Sequence, residues 1–447
     1  MLRVRFFTLG CKVNQYETQA LRELFRNEGY QEVDTKADFY VINTCTVTHI
    51  ADKKSIKYIR KAKKENPRAK ILVTGCLAEK QRALIEKEGV DFVVSQTEKY
   101  RIPQILGFKN SPFIKNNLSL RVSNFFLNRA FVKIQDGCNN SCSFCKVRLV
   151  RGGAISRPFK EIVSEIKILV ERGFKEIVLC GINLGSYNWE GKDLCFLLRK
   201  IIRIEGLGRV RLSSLEPQYI NEELLELISF TKKICSHLHL PFQSGSDKIL
   251  QLMNKPVKAN FYFQLISKIR SRIPNCGISG DFIVGFPYEE EKDFLKTLKL
   301  IKEVKPLRSH IFPYSEREET QSSKFPRLDK KVVKRRKEVA KEVAREASYE
   351  FRKTQENRVF EIILEEKQKE SYFQGYTENY IKVLLEEVEA SPFLDSKSLI
   401  PIVIEKVTPE NNYAKLFKLN IQNNFLGKNP SKKTQILLDN SRTFNKI

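Results

Sequence analysis

GCNNSCSFC, residues 137–145, brings Cys138, Cys142 and Cys145 onto one short segment at intervals of four and three residues. The segment directly follows AFVKIQ (130–135), an apolar run that predicts a β-strand. These three cysteines therefore lie on the loop at the carboxyl end of that strand. The strand begins a predicted β/α barrel, so we call them the barrel triad. Thiolates select soft metals, and three of them on one loop can hold three corners of an iron–sulfur cube. We interpret the segment as a site for a four-iron cluster that leaves one iron open.

A structural zinc site is the alternative interpretation of the barrel triad. Such a site needs a fourth protein ligand nearby. The nearest histidines are His49 and His237, and the next cysteine, Cys180, lies far along the chain. The spacing favours the cluster.

Length and composition indicate a multidomain globular protein. The chain has 447 residues, of which 41% are hydrophobic and 30% charged, and this predicts two or three domains. MLRVRFFTLG at the start lacks a signal peptide's apolar core, and no window approaches about eighteen uninterrupted apolar residues. We therefore expect a cytoplasmic protein with no membrane partner. Ten cysteines are too sparse for a disulfide scaffold, so reduced thiols point to metal binding or catalysis.

The net charge of +26 points to a polyanionic partner. The chain carries 79 Lys and Arg against 53 Asp and Glu. Such an excess attracts RNA or DNA through the release of counterions. The alternative explanation is a lysine-rich composition inherited from an AT-biased genome, and charge alone does not decide between the two.

The middle of the chain alternates strand and helix patterns, which predicts a full or partial β/α barrel. Helical patterns such as EIVSEIKILVERG fall between several of the strands. Chemistry in such barrels takes place at the carboxyl ends of the strands, where the barrel triad lies. The candidate strands are AFVKIQ, EIVLCGIN, RVRLSSLEP, HLHLPFQSG, GISGDFIVGFP and LRSHIFPYS.

Three further cysteines each follow a predicted parallel strand in the first third of the chain. Cys11 ends RVRFFTLGC, Cys45 ends FYVINTC and Cys76 ends KILVTGC, with helical patterns between them. Successive strand ends converge on one edge of an open α/β sheet. We expect these cysteines, the N-terminal triad, to meet in space and form a second metal site. Three small buried residues in register would be the structural alternative.

The remaining segments complete the predicted organisation. A basic helix, DKKVVKRRKEVAKEVAREASYEFRK, is interpreted as a surface helix that closes the barrel rather than a dedicated RNA-binding helix. VFEIILEE, YIKVLLEEV and LIPIVIEKV predict a small β-barrel, with GYTENY as a turn. A polar linker covers about 107–128. The predicted domains are an N-terminal α/β domain at 1–110, the barrel at 128–350, the small β-barrel at 356–420 and a basic tail at 421–447.

The two triads carry a resemblance to a known family. CNNSCSFC on a strand-to-helix loop resembles the radical S-adenosylmethionine superfamily. Together with TLGCKVNQYET, RGGAISRP, GINLGSY, LHLPFQSGSDKILQLMNK and DFIVGFPYE, it is similar to the methylthiotransferase family over nearly the whole chain. TLGCKVNQYET is most like the branch that acts on threonylcarbamoyladenosine in tRNA. The isopentenyladenosine branch reads closer to GCQMN, and the ribosomal-protein branch closer to GCPKN.

The resemblance implies a fold, a reaction and partners. It implies an N-terminal methylthiotransferase domain, a radical S-adenosylmethionine barrel of the TIM-like type and a TRAM-like β-barrel. It implies two four-iron clusters: the barrel triad binds the one that cleaves S-adenosylmethionine, and the N-terminal triad binds the one that carries sulfur. One S-adenosylmethionine methylates a cluster-bound sulfur, and a second yields the radical that takes hydrogen from C2 of the adenine. The implied partners are a tRNA substrate and an electron donor of the flavodoxin or ferredoxin type; the sulfur donor is unknown.

Other candidate residues are polar groups at strand ends of the barrel. Phe144 matches the aromatic residue that flanks the adenine of S-adenosylmethionine in the superfamily. Each of the others could contact the cofactor or the adenine, and each could equally form a hydrogen bond within its loop. They are Asn183, Ser213, Glu216, Gln243 and Asp281.

The remaining cysteines and histidines are predicted to be structural. His237 and His239 alternate on one strand and share a face, where we favour packing or hydrogen bonding over metal ligation. Cys180, Cys195, Cys235 and Cys276 are interpreted as small buried residues.

Three stretches depart from the family pattern. Arg148 stands where the family usually has proline after the barrel triad. YSEREET lacks the glycine of the usual YSPRPGT. The acidic LLEEVEASP in the small β-barrel suits phosphate poorly, so RNA contact is expected on the basic helix at 330–345 and on the tail.

The sequence leaves alternative functions open. The same chemistry could act on isopentenyladenosine in tRNA or on a ribosomal protein. A non-enzymatic RNA-binding protein held together by metal is a third hypothesis, although it would have no use for two open-cornered clusters.

Overall fold

The computed structural model describes residues 2–112, 114–369, 371–394 and 396–417. The basic tail predicted at 421–447 lies outside these described residues. Within them, the chain forms a parallel α/β sheet, a partial β/α barrel and a closed five-stranded β-barrel in this order. This is the predicted fold class, which the structure confirms.

The N-terminal part is an α/β sheet in the strand order β2-β1-β3-β4-β5. Its strands are β1 (Arg3–Thr8), β2 (Gln31–Glu32), β3 (Phe39–Thr44), β4 (Lys70–Gly75) and β5 (Phe92–Val93). Its helices are α1 (Lys12–Asn27), α2 (His49–Glu65), α3 (Cys76–Lys80), α4 (Arg82–Glu86) and α5 (Ile102–Ile105).

The strand pairs of this sheet are all parallel. Every residue of the central strand β3 is buried, which explains why its sequence is an apolar run without polar alternation. α1 begins at Lys12, directly after Cys11.

The barrel begins at residue 130, and α13 packs against its last strand. Its strands are β6 (Ala130–Lys133), β7 (Gln135–Asp136), β8 (Ile155–Ser156), β9 (Glu176–Cys180), β10 (Asn188–Trp189), β11 (Lys192–Asp193), β12 (Arg209–Leu212), β13 (His237–Gln243), β14 (Gly277–Val284) and β15 (Arg308–Pro313). Its helices are α6 (Val147–Arg151), α7 (Phe159–Glu171), α8 (Leu194–Ile201), α9 (Glu222–Phe230), α10 (Asp247–Leu252), α11 (Ala259–Arg272), α12 (Glu291–Val304) and α13 (Lys330–Lys353).

The main barrel strands form two parallel sheets, β6-β9-β12 and β13-β14-β15. Isolated bridges, such as the one between Ser214 and His239, connect the two sheets. β6 and β15 stay unpaired with each other in the described residues, so the barrel is partial. Helix α1 packs against β6, which places the N-terminal sheet beside this open side.

The third part is a closed barrel in the order β16-β17-β18-β20-β19. Its elements are β16 (Val359–Lys369), β17 (Tyr372–Tyr376), β18 (Lys382–Glu386), α14 (Glu387–Ala390), β19 (Ile400–Val407) and β20 (Asn412–Leu416). The small β-barrel that the sequence predicts is therefore present.

The turn GYTENY of this barrel closes the amino-terminal ends of the β/α strands. The buried guanidinium groups of Arg209 and Arg211 donate to the carbonyl oxygens of Tyr376 at 2.8 Å and Thr377 at 2.9 Å. Glu176 holds both arginines through contacts of 2.6 and 2.7 Å. The turn therefore packs inward against the β/α barrel.

The basic helix α13 packs against β15 and α12, as predicted for a helix that closes the barrel. Asp329 caps its amino end by accepting hydrogen bonds from the first-turn amides. Arg336 is buried, and its guanidinium donates to the Glu289 carbonyl oxygen at 2.8 Å. The guanidinium of Arg336 therefore helps to pack α13 against the barrel and is not exposed to solvent. Among the described residues, no helix is long and apolar enough to cross a membrane.

Candidate metal centres and cofactor site

The register of the N-terminal sheet brings the N-terminal triad together. Thr8 lies opposite Asn43 on the neighbouring strand, and Thr44 lies opposite Gly75. Cys45 and Cys76 each follow those strand ends by one residue, and Cys11 follows β1 by three. The three sulfurs therefore lie at one edge of the sheet, close enough to act electrostatically on one another.

Two glycines make this close approach possible. Gly10 and Gly75 both have φ of 99°, a conformation that side chains rarely adopt. A Cβ atom on Gly10 would stand 3.1 Å from the Cys45 sulfur, and one on Gly75 would stand 2.5 Å from the Thr44 carbonyl oxygen. Gly10 thus keeps the space beside the Cys45 sulfur free, and Gly75 allows β4 to approach the end of β3 closely.

The barrel triad lies on the loop between β7 and α6, at the carboxyl end of the first main strand. Ser143 anchors the loop: its amide donates to the Met253 carbonyl oxygen at 3.0 Å and its hydroxyl to the Leu252 carbonyl oxygen at 2.7 Å. The Asn140 amide donates to the Cys138 sulfur at 3.4 Å. The loop presents its thiols at the catalytic end of the barrel.

The thiols of both triads are partly or fully sheltered from water, except that of Cys11, which is exposed. Burial raises the pKa of Cys45 and Cys145 to about 12 and that of Cys142 to about 11. Burial also raises the pKa of Cys76 and Cys138. Iron that binds these sulfurs must therefore displace protons, as metal binding to cysteine generally does.

The sulfur positions fit a polynuclear cluster better than a single ion. Three cysteines that bind one Zn²⁺ at about 2.3 Å hold their sulfurs about 3.8 Å apart. Among the described residues, neither triad belongs to the groups whose three ligand atoms lie within 4.8 Å of one another. In a cluster each cysteine binds a different iron, so a wider spacing is what this donor set requires.

Two of the predicted cofactor residues carry buried polar atoms at the ends of barrel strands. Asn183 follows β9 and Ser213 follows β12, and both side chains are buried. Within the described part of the chain, Asn183 Oδ1 and Ser213 Oγ have no hydrogen-bond partner. Buried polar atoms are normally paired, so both fit contact with a polar ligand such as S-adenosylmethionine.

The other predicted cofactor residues lie around the same end of the barrel. Glu216 contacts Lys255 at 2.5 Å, and both act electrostatically on Cys138 and Cys142. Phe144 packs edge-on against Phe286, with 6.4 Å between the ring centres.

Two predicted residues differ from these in their surroundings. Gln243 has φ of 67°, a left-handed conformation unusual for this residue type, where the register of β13 shifts. Asp281 lies deeper, between His239 and His310. A cofactor role for these six residues stays a prediction.

A buried charge network joins the two triads, and the sequence did not reveal it. Arg151, at the end of α6, contacts Glu17 of α1 at 3.2 Å and Asp136 at 2.9 Å. Glu17 also contacts Lys99 at 2.5 Å and Lys133 at 3.0 Å. We call these five residues the interface network. They carry three positive and two negative charges, and the remaining positive charge favours thiolates nearby.

Arg151 connects the interface network to the N-terminal triad. Its charge acts on Cys45 and Cys76, and its guanidinium donates to Asn14 Oδ1 at 2.5 Å. Asn14 in turn donates to the Leu9 carbonyl oxygen at 2.7 Å. Asn14 and Glu17 belong to the motif TLGCKVNQYET, and Arg151 belongs to the motif RGGAISRP. Charged and polar residues in these two family motifs were the only sequence signal for the interface network.

The stretch YSEREET, which lacks the usual glycine, also reaches the N-terminal sheet. Glu319 takes φ of 68°, so the chain keeps a left-handed conformation there without glycine. Arg317 is buried and contacts Asp52 at 2.7 Å and the Thr46 hydroxyl at 2.8 Å. This arginine fixes the loop directly after Cys45.

The structural cysteines and histidines behave as predicted. Cys180, Cys195, Cys235 and Cys276 are buried. His237 bonds to Ser279 at 2.9 Å and His239 to Asp281 at 3.1 Å.

Known proteins share this combination of parts. Residues 3–95 match Uncharacterized protein family UPF0004, and residues 132–301 match the Radical SAM superfamily. The threonylcarbamoyladenosine tRNA methylthiotransferase MtaB of Bacillus subtilis (strain 168) is 39% identical over 415 residues, which cover 87% of this chain and 91% of that protein. The chain belongs to the radical S-adenosylmethionine methylthiotransferase family.

Two more comparisons place this methylthiotransferase within its relatives. The tRNA-2-methylthio-N(6)-dimethylallyladenosine synthase of Thermodesulfovibrio yellowstonii is 33% identical, over 87% of this chain and 94% of that protein. The radical S-adenosylmethionine methyltransferase TsrM from Kitasatospora setae is similar in fold, with a TM-score of 0.53, 14% identity and coverage of 70% of this chain and 74% of that one. The enzyme is a radical S-adenosylmethionine methylthiotransferase that uses S-adenosylmethionine and a four-iron cluster.

Proposed function

We propose that this methylthiotransferase modifies C2 of N6-threonylcarbamoyladenosine next to the anticodon of tRNA, with one four-iron cluster on each cysteine triad. The relative with 39% identity is named for threonylcarbamoyladenosine tRNA, which supports this substrate. We further propose a cytoplasmic location, which a tRNA substrate supports, and an electron donor of the flavodoxin or ferredoxin type. Modification of isopentenyladenosine in tRNA or of a ribosomal protein is the alternative.

The observation that carries the two-cluster proposal is the interface network. It links α1, which begins directly after Cys11, to α6, which begins two residues after Cys145. α3, which begins at Cys76, packs against the same helix α6. The two triads therefore occupy neighbouring ends of one buried interface, as a reaction that needs both would require.

Different residues of the chain would hold the two clusters and orient S-adenosylmethionine. The barrel triad would hold the cluster that binds S-adenosylmethionine, and Asn183, Ser213 and Glu216 would orient that cofactor through polar contacts. When bound, the cofactors supply the radical and the sulfur chemistry of the reaction. The N-terminal triad would hold the second cluster, and Arg151 would keep it facing the barrel.

The substrate is tested by nucleoside analysis. tRNA from a deletion strain should lack 2-methylthio-N6-threonylcarbamoyladenosine and accumulate the unmethylthiolated nucleoside. Restoring the gene should restore the product. Loss of the methylthio-isopentenyl nucleoside instead would assign the enzyme to the alternative substrate.

Iron content tests the number of clusters. Anaerobically reconstituted protein should hold about eight irons, four for each cluster. Replacing the barrel triad by alanine should leave about half, because the N-terminal triad belongs to a different sheet. Cys235→Ala, which removes a buried cysteine outside both triads, should keep all of the iron. Full iron in the triple variant, or zinc in place of iron, would contradict the assignment.

Salt dependence tests the basic helix as a tRNA-binding surface. Arg336 is buried and Arg335 contacts Glu291 at 2.6 Å, so the exposed Lys331 and Lys334 are better probes. Reversing both to glutamate should weaken tRNA binding. If each lysine contacts one phosphate, the slope of log K against log salt concentration should also become less negative by about 1.4–1.8.

A matched variant controls for net charge in this experiment. Reversing Lys160 and Lys167, both exposed on α7, changes the total charge equally. Equal slopes for the two double variants would show that α13 acts only through general attraction.

A further inference from the structure

The sheet β13-β14-β15 presents a polar face to the interior of the β/α barrel. Asp281 lies opposite His310, Ser279 lies opposite Arg308, and His239 lies opposite Ser279. Strand side chains alternate between faces, so residues two apart on each strand share this surface. We call it the polar wall; it consists of His237, His239, Ser279, Asp281, Arg308 and His310.

Asp281 fixes two imidazole rings on the polar wall. Its two carboxylate oxygens bond to His239 Nε2 at 3.1 Å and to His310 Nδ1 at 2.8 Å. The ring centres lie 5.7 Å apart, and both side chains are partly exposed. In the described part of the chain, no hydrogen bond reaches His239 Nδ1 or His310 Nε2. Each ring can therefore offer one nitrogen to a ligand.

Two cations beside the polar wall lack a carboxylate partner among the described residues. Arg308 lies with its guanidinium carbon 5.5 Å from the centre of the Tyr380 ring, which itself lies 4.5 Å from the His237 ring. Lys12, directly after Cys11, is close enough to act electrostatically on His237 and Tyr380.

The other arginines at the amino-terminal end of the barrel strands are paired. Arg129, Arg209 and Arg211 all contact the single buried carboxylate of Glu176, at 3.5, 2.6 and 2.7 Å. Because Lys12 and Arg308 have no carboxylate partner among the described residues, their charges are available to a ligand.

The charge and donor pattern fits a carboxylate. Planar carboxylates bind best to charged hydrogen-bond donors, which Arg308 and Lys12 can provide. His239, Asp281 and His310 also place three ligand atoms within 4.8 Å. The two unpaired cations outweigh the single carboxylate of Asp281 and would repel a divalent cation, so the surroundings favour an anion.

We propose that the polar wall binds the threonylcarbamoyl group, with Arg308 and Lys12 supplying charge to its carboxylate and His239 and His310 accepting hydrogen bonds from its N–H and O–H groups. This inference rests on the proposed function, since the isopentenyl group of the alternative substrate is apolar and brings no carboxylate. Lys12, the first residue of α1, directly follows Cys11, so the junction between β1 and α1 carries both a ligand of the second cluster and a cation that recognises the substrate.

Equilibrium binding of two anticodon stem-loops tests the proposal without relying on turnover. One stem-loop carries N6-threonylcarbamoyladenosine and the other carries its neutral methyl ester, so the phosphates are identical. Wild-type holoenzyme should prefer the acid by about 10–100-fold, the usual effect of a charge-assisted hydrogen bond. Arg308→Gln should lose most of this preference and bind the ester as wild type does, whereas Arg308→Lys should keep part of it.

A second variant keeps the test independent of one side chain. Lys12→Gln comes from a different element and should lower the same acid-to-ester preference. Equal losses for both stem-loops in these variants, or no preference in the wild type, would overturn the proposal. So would a divalent metal that binds cluster-free protein stoichiometrically and is lost in His310→Asn.

Failure of the proposed function would look different. A wild-type enzyme that methylthiolates isopentenyladenosine tRNA and ignores threonylcarbamoyladenosine tRNA would refute the substrate itself. Normal modification of threonylcarbamoyladenosine with no acid-to-ester preference would refute only the role of the polar wall.

Discussion

Cys142→Ala is expected to abolish 5′-deoxyadenosine formation, whereas Cys45→Ala is expected to retain some of it and give no methylthiolated nucleoside. Cys142 lies on the barrel loop beside Glu216 and Lys255, where S-adenosylmethionine would bind. Cys45 lies on the other side of the interface, at the end of β3. The loss in one variant should therefore affect cleavage, and the loss in the other only sulfur delivery.

The decisive quantity is methylthiolated nucleoside per 5′-deoxyadenosine, measured by mass spectrometry after anaerobic reduction with S-adenosylmethionine and tRNA. Cys195→Ala, a buried cysteine outside both triads, serves as the control and should keep the wild-type ratio. Circular dichroism and gel filtration establish that each variant is folded. A Cys45→Ala protein that methylthiolates tRNA at the wild-type ratio would refute the two-cluster mechanism.

Glu17→Gln is expected to lower the free energy of unfolding by about 3–5 kcal/mol, the usual cost of removing one partner from a buried ion pair. The substitution leaves Lys99, Lys133 and Arg151 buried with Asp136 as the remaining carboxylate of the interface network. Urea denaturation measures the change. Glu88→Gln, which breaks an ion pair with the exposed Arg60, should cost about 1 kcal/mol or less.

The same network predicts a dependence on pH. Burial alone would raise the pKa of Glu17, but the charges of Arg151, Lys133 and Lys99 outweigh it and hold that pKa well below its usual range. A carboxylate with a lowered pKa stabilises the fold above its unfolded pKa, about 4.3, and loses this effect as the pH falls.

Wild-type protein should therefore lose stability below about pH 4.3 through this group, and the Glu17→Gln variant should lack that component. Between pH 6 and 8 the difference between the two proteins should be constant. A difference that disappears in this neutral range would show that Glu17 is not charged in the folded protein.

Several features followed from the sequence alone because they depend on neighbours along the chain. The spacing of the barrel triad, the strand that precedes it and the cysteine after each of three strands are local patterns. Parallel strands must end at a common edge, so the meeting of the N-terminal triad also followed from local order. The family motifs then pointed to the enzyme class.

Tertiary structure decided which charged residues are buried and what they face. Arg151 and Glu17 lie 134 positions apart, and no periodicity links them. Arg336 belongs to a run of basic residues that reads as surface, yet it is buried against Glu289. Burial of a charge depends on a partner that the fold brings from elsewhere, so local sequence patterns cannot predict it.

The sequence by itself determined the three parts of the fold, both cysteine triads and membership of the methylthiotransferase family. Only the tertiary structure decided that GYTENY turns inward, that the interface network joins the triads, and that Arg308 and Lys12 stand beside one polar wall. The first set depends on spacing along the chain and on side-chain periodicity. The second depends on which distant residues the packing of apolar surfaces brings into contact, and that is a property of the whole chain.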